Sequence, residues 1–165
     1  ASELIEKKFK VTRRIEFFLV GEGSQKKYLE DIIEKKEINN FHFLGGFPLK
    51  AMPDFIKKCD ALFISLKGDH NYNLTIPNKL QSYLASSKPI IGNIGGISKK
   101  IILDSEAGFV AEPENPKKLA EIIIKVSRMS KTELEDIGKK GINYYKDNFS
   151  NEVFLKNFRE LFTKV

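Results

Sequence analysis

The chain has 165 residues, 41% of them apolar and 30% charged, with 28 basic and 22 acidic side chains and a formal net charge of +6. That length supplies one domain with an ordinary core, and no apolar run approaches the roughly eighteen residues of a membrane span. A single cysteine, Cys59, excludes an internal disulfide and a cysteine-rich metal site, and its helical, apolar surroundings read as those of a buried structural thiol.

The amino terminus alternates charge with isolated apolar residues, a pattern without the character of a secretory leader. Ala1 to Arg14 carries Leu4, Ile5 and Phe9 among lysines, as the last turns of a helix do. Ile15 to Val20 is rich in aromatic and β-branched residues and reads as a buried strand. Gly21-Glu-Gly23 turns the chain, and Ser24 is placed to cap a helix running to about Lys36 whose buried face uses Leu29, Ile32 and Ile33. Phe41 to Leu44 is a second strand, Gly45-Gly-Phe-Pro48 its turn, and Leu49 to Cys59 a helix with Met52, Phe55 and Ile56 inward. Ala61 to Leu66 is the third strand.

The loop that follows is longer than the connections around it, and long loops in compact domains are usually functional or disordered. It ends at a helix start, where Pro77 suits the first helical position because its ring presets the backbone angle and its missing N–H needs no acceptor there. Free N–H groups at such an end attract anions, phosphate above all, and Lys79 one turn in adds a point charge with three donors. Lys88 to Gly92 is the fourth strand, Ile97 to Asp104 a short helix and Gly108 to Ala111 a fifth strand. Strands alternating with helices over short connections predict a parallel sheet covered on both faces.

Beyond Ala111 the signals are helical. Asn115-Pro116 reads as a cap and first-turn proline, with Leu119, Ile122, Ile123 and Val126 as the apolar stripe. Ser130 and Glu133 have capping-box spacing, and Ser150 starts a last helix with Phe154, Leu155, Phe158, Leu161 and Phe162 on one side. That side packs on its own domain or leaves apolar area for a half of the molecule absent from this chain.

Several chemistries are disfavoured. Gly21 and Gly23 stand where a dinucleotide fingerprint has its first two glycines, but the third position holds Lys26. Asp69 and His70 read as exposed loop residues without a second histidine nearby, and His42 as a plain strand residue, so no metal site is expected. No nucleophile triad in a hydrolase setting and no phosphate-binding Gly-x4-Gly-Lys loop appears. The lysine pairs read as solvated helix faces, and no nucleic-acid partner is expected.

The run Pro77-Asn-Lys-Leu-Gln-Ser-Tyr-Leu-Ala-Ser-Ser-Lys-Pro-Ile-Ile91, with Gly95-Gly96 after it, resembles the donor-binding half of GT-B glycosyltransferases of group 1. Within these retaining enzymes it looks most like the aminosugar transferases whose corresponding helix begins Pro-x-Lys. The likeness runs from Ile15 onward and leaves out the N-terminal, acceptor-binding half. It implies a Rossmann-like doubly wound α/β fold with C-terminal helices, residues 1–165 forming one donor-binding domain. That domain would hold a nucleotide-diphosphate sugar, a uridine one, for transfer to a surface polysaccharide or lipid-linked glycan by a hexosyl- or aminosugar-transferase. The isolated half is expected to be inactive, to need no cofactor or metal, and to be cytoplasmic, with peripheral contact at the inner membrane face left open.

By the same resemblance, Gly21 and Gly23 lie on the nucleotide side of the cleft, Phe47 meets the base by its main chain and Met52 lies beneath it. Lys67 faces the donor phosphates, Thr75, Ile76, Pro77, Asn78 and Lys79 hold the diphosphate, Ser82 takes a ribose oxygen, and Gly95 and Gly96 pass the donor sugar. Many of these transferases carry two glutamates separated by seven residues; Leu74 and Ser82 stand at those positions, and Ser98, Lys99 and Lys100 where an acidic residue often follows the glycine pair. No catalytic residue is assigned. The departures keep two alternatives open: a non-catalytic nucleotide- or sugar-binding module of the same fold, and a basic Rossmann-like interaction domain.

Overall fold

The structure, a computed structural model, describes residues 1–8 and 14–163. Phe9 lies outside the described residues. In chain order the elements are α1 (Ser2–Lys8), β1 (Phe17–Val20), α2 (Lys26–Lys35), β2 (Phe41–Gly45), a 3-10 turn (Leu49–Ala51), α3 (Met52–Lys58) and β3 (Leu62–Ser65). They continue with α4 (His70–Asn73), α5 (Asn78–Ala85), β4 (Ile90–Asn93), α6 (Gly96–Asp104), β5 (Gly108–Ala111), α7 (Pro116–Ser127), α8 (Lys131–Asn148) and α9 (Asn151–Thr163).

Every described strand pair is parallel, as strand–helix alternation requires. The ladder is divided: β1 pairs with β2, and β3, β4 and β5 pair in that order. Successive residues of a strand face opposite sides, so the central strand β4 needs both of its apolar neighbours covered. Ile91 joins Leu119, Ala120, Ile123 and Ile5 on the side covered by α1 and α7, whereas Ile90 joins Leu80, Leu84, Ile94 and Ile102 on the side of α5 and α6. Tyr144, Tyr145 and Phe149 of the α8 region close that second core.

The helix ends follow local chemistry unevenly. Asn115 caps α7 by accepting the Lys118 N–H at 3.0 Å, with Pro116 in the first turn. Ser130 and Glu133 form the reciprocal capping box of α8. The start expected at Ser24 is displaced to Gln25, which makes no side-chain cap bond. The expected buried face of α2 is also corrected: no α2 residue is buried, Leu29 being exposed and Ile32 and Ile33 half-buried, because no other element packs extensively against the helix. Cys59 is half-buried, its thiol donating to the Phe55 carbonyl at 3.3 Å while burial pushes its pKa up. His42 is half-buried in β2, stacked on Phe18 with its Nε2 2.6 Å from Glu16 Oε2, a bond that holds the Glu16 carboxyl below its ordinary value.

Candidate functional site

In an open parallel sheet the loops beyond the carboxyl ends of the strands form the ligand edge. Here those loops meet in two groups. Beyond β1 and β2, the Gly21 N–H donates to the Gly45 carbonyl at 2.8 Å, and the Glu22 side chain lies over Gly45 and Gly46 while pairing with Lys26. Gly23 is exposed beside them. Phe47, itself exposed, sets its ring edge-on to Phe55, 4.7 Å between centroids, and Met52 opens α3 half-buried.

The second group lies beyond β3, β4 and β5. Asp69, expected to be a plain loop residue, caps a short helix unforeseen in the sequence: its carboxylate accepts the Tyr72 N–H at 3.0 Å and α4 follows. Lys67 is exposed at the exit of β3. Asn73 closes α4 against the Gly95–Gly96 turn so tightly that a Cβ on Gly96 would fall 2.0 Å from the Asn73 carbonyl oxygen. Gly96 has φ +60°, a left-handed conformation that glycine adopts without steric cost. The glycine pair thus has a steric task inside the protein, the seating of α4.

Pro77 is the N-cap of α5 and not its first helical residue, with an extended backbone of φ −70° and ψ 140°. Its carbonyl accepts the Leu80 N–H at 2.9 Å, and no side chain caps the helix. Among the described residues the Asn78 and Lys79 N–H groups have no recorded acceptor, and the exposed Lys79 ammonium belongs to no ion pair. Ile76 packs on the core beneath, next to the fully buried Leu80, which fixes the helix opening to the sheet. Thr75 bonds the Asn71 carbonyl through Oγ1 at 2.8 Å. Ser82 is exposed and donates to the Asn78 carbonyl at 3.2 Å, with lone pairs still able to accept.

Three further residues shape this edge, Ser98 and Lys99 in roles that their place after the glycine pair did not indicate and Asn93 unassigned by the sequence. Ser98 is fully buried and donates to the Thr75 carbonyl at 2.8 Å. Asn93, the last residue of β4, donates from Nδ2 to Ser65 Oγ at 3.3 Å, and its Oδ1 is buried without a partner among the described residues. The place of Asn93 at a strand end on the ligand edge was an available signal; Ser98, inside α6, had none. Lys99 pairs with Glu112 across the β4 and β5 loops. Among the described residues no cluster of three or more histidine, cysteine or carboxylate groups can hold a metal, and no helix is long and apolar enough to cross a membrane.

The profile of the family described as Glycosyl transferases group 1 matches residues 1–144. An uncharacterized glycosyltransferase of Methanocaldococcus jannaschii is 26% identical over 151 residues, covering 90% of this chain and 40% of the relative. Among solved structures, Anabaena HepE in complex with UDP superposes with a TM-score of 0.78 at 16% identity, over 99% of this chain and 44% of that one. A mutant of S. aureus TarM in complex with fondaparinux, alpha-GlcNAc-glycerol and UDP gives 0.77 at 19% identity, over 98% and 31%. The chain therefore spans less than half the length of these relatives. With most of its residues under the family profile and its fold shared with such enzymes, the chain belongs to the glycosyl transferases group 1 family and is a GT-B glycosyltransferase domain.

Proposed function

We propose that this domain is the donor-binding half of a retaining glycosyltransferase, with residues 1–165 as one unit and an N-terminal acceptor-binding half completing the cleft. The observation that carries the reading is the opening of α5, where the Asn78 and Lys79 amides and the exposed Lys79 ammonium, without an ion pair among the described residues, stand together at the ligand edge. Such groups offset the charge of a diphosphate, and they offset it most as the sugar leaves and negative charge gathers on the departing phosphate. The complexes of HepE and TarM with UDP support a uridine donor. Phe47 backbone and Met52 would border the base, Gly21 and Gly23 the nucleotide side, Lys67 and Thr75 to Lys79 the phosphates, Ser82 the ribose, and Gly95 and Gly96 the sugar. The acceptor is a surface polysaccharide or lipid-linked glycan and the sugar a hexose or aminosugar, on the resemblance of the Pro77–Lys79 helix start. The work would be done in the cytoplasm, at the inner membrane face where the acceptor is lipid-linked.

Titrating the 165-residue chain with UDP and GDP tests this. UDP should bind in preference to GDP, and Lys79→Ala should weaken it about tenfold, the scale of one charge-assisted hydrogen bond. No binding of UDP, or binding indifferent to Lys79, overturns the reading.

A second reading is favoured by the places where paired glutamates stand in many transferases. Leu74, 71% exposed, and Ser82, bonded to its own helix, stand there, and neither side chain carries a carboxylate for the nucleotide. A domain of that kind would bind without catalysing. Incubating the full-length protein with labelled UDP-sugars separates the two, because the binding module alone forms no product. The basic-surface alternative is weakened by the ion pairs along the helices, such as Lys27 with Asp31 and Lys100 with Asp104, which scatter positive charge among acids.

A further inference from the structure

We propose that Ser98 is a positioning residue for the diphosphate-facing amides of α5, acting through the Thr75 carbonyl; this rests on the donor-site reading above. The Ser98 side chain is fully buried in α6, and a buried hydroxyl is costly unless it is bonded. Its partner lies outside its own helix, on the connector that leads into α5, at 2.8 Å. Ser105, the other buried polar residue of this region, instead donates to the Ile102 carbonyl one turn back at 3.1 Å and accepts the Ala107 N–H at 3.4 Å, bonds that close the end of α6 and do not reach the connector into α5.

Thr75 is separated from Asn78 by Ile76 and Pro77 alone. Proline fixes its own φ and restricts the residue before it, so few soft torsions lie between the Thr75 peptide and the first amides of α5. Holding that carbonyl sets the direction in which the Asn78 and Lys79 N–H groups point. The same opening turn of α6 provides a second hold, since Gly96 lets the Asn73 backbone rest directly on it. Within the connector, Thr75 Oγ1 bonds the Asn71 carbonyl and Asp69 holds the Tyr72 N–H, so the segment is tied to α6 as a unit. The opening turn of α6 therefore acts on the phosphate end of the site by orienting α5, and Ser98 makes no ligand contact itself.

The test is an NMR titration of the 165-residue chain and its Ser98→Ala, Ser98→Cys and Ser105→Ala variants with UDP and, separately, with uridine. Ser98→Ala should weaken UDP about three- to tenfold, the range for one lost hydrogen bond, and change uridine affinity much less, because the base rests on the loops beyond β1 and β2 and Ser82, the ribose contact, lies one turn beyond the opening of α5. Ser98→Cys keeps the volume with a weaker donor and should fall between, and it decides the question if the alanine variant does not fold. Ser105→Ala should leave the ratio of UDP to uridine affinity alone. An unchanged ratio in folded Ser98 variants, or an equal change with Ser105→Ala, overturns the role of Ser98 while the donor-site reading stands. A wild-type chain that binds no UDP overturns both.

Discussion

Gly96 has two reasons to be glycine: its φ is +60°, and an added methyl group would sit 2.0 Å from the Asn73 carbonyl oxygen. The clashing atom is backbone, so the α4 segment must move as a whole to relieve it. Gly96→Ala is expected to lower stability by about 2 kcal/mol, combining left-handed strain with overpacking, measured by denaturant unfolding. Lys79→Ala, exposed and outside every ion pair of the described residues, should stay within about 0.5 kcal/mol of wild type. The contrast separates structural from binding positions in one assay. It also marks what single residues disclosed beforehand. The Pro77–Lys79 start was legible because proline, a following lysine and a long preceding loop are local signals. Ser98 was not, since its meaning is a bond to a carbonyl distant in sequence, and a serine before two lysines gives no hint of burial.

At the scale of elements, α8 carries the clearest balance of forces. Glu133 accepts the Ser130 N–H and hydroxyl, and these bonds hold its carboxyl below the ordinary glutamate value. A carboxylate lowered by folding stabilises above its unfolded pKa, and that contribution is lost as pH falls through the folded pKa. Thermal unfolding followed downward from neutral pH should show this loss on the acid side of the glutamate range, and Glu133→Gln should flatten that part of the profile. Further along α8, a Cβ on Gly138 would fall 2.1 Å from the Ser87 carbonyl oxygen. Alanine improves helix propensity by up to about 1 kcal/mol, but forcing α8 away from the α5 exit costs about 1 to 3, so Gly138→Ala should destabilise on balance. Calorimetry with Gly138→Ala beside the exposed control Lys139→Ala checks the sign. Capping signals were readable here because serine, asparagine, proline and glutamate act within one turn. The short α4 was missed because its start depends on one aspartate inside an otherwise irregular polar stretch.

Across the whole molecule, parallel pairing followed from alternation, while the strand order and the division between β1–β2 and β3–β4–β5 did not, since apolar runs carry no record of which edges join. The same limit applied to α9. Its periodicity gave a one-sided apolar helix, and the structure leaves that side open: Phe154, Leu155, Phe158, Leu161 and Phe162 are between 49% and 69% exposed. The rings form a ladder, Phe154 on Phe158 at 6.1 Å and Phe158 on Phe162 at 4.8 Å, so the stripe is continuous. A patch of this kind drives association in water because its burial removes apolar surface from solvent, and its substitution costs the fold little because it supports no core. The 165-residue chain is therefore expected to associate with rising concentration in sedimentation velocity. Phe158→Glu with Phe162→Glu should shift it toward monomer while its unfolding free energy stays within about 1 kcal/mol of wild type, since substitutions at exposed sites rarely cost more than about 0.5 each. A large loss of stability in that variant would mean that the ladder is packed on its own domain in solution.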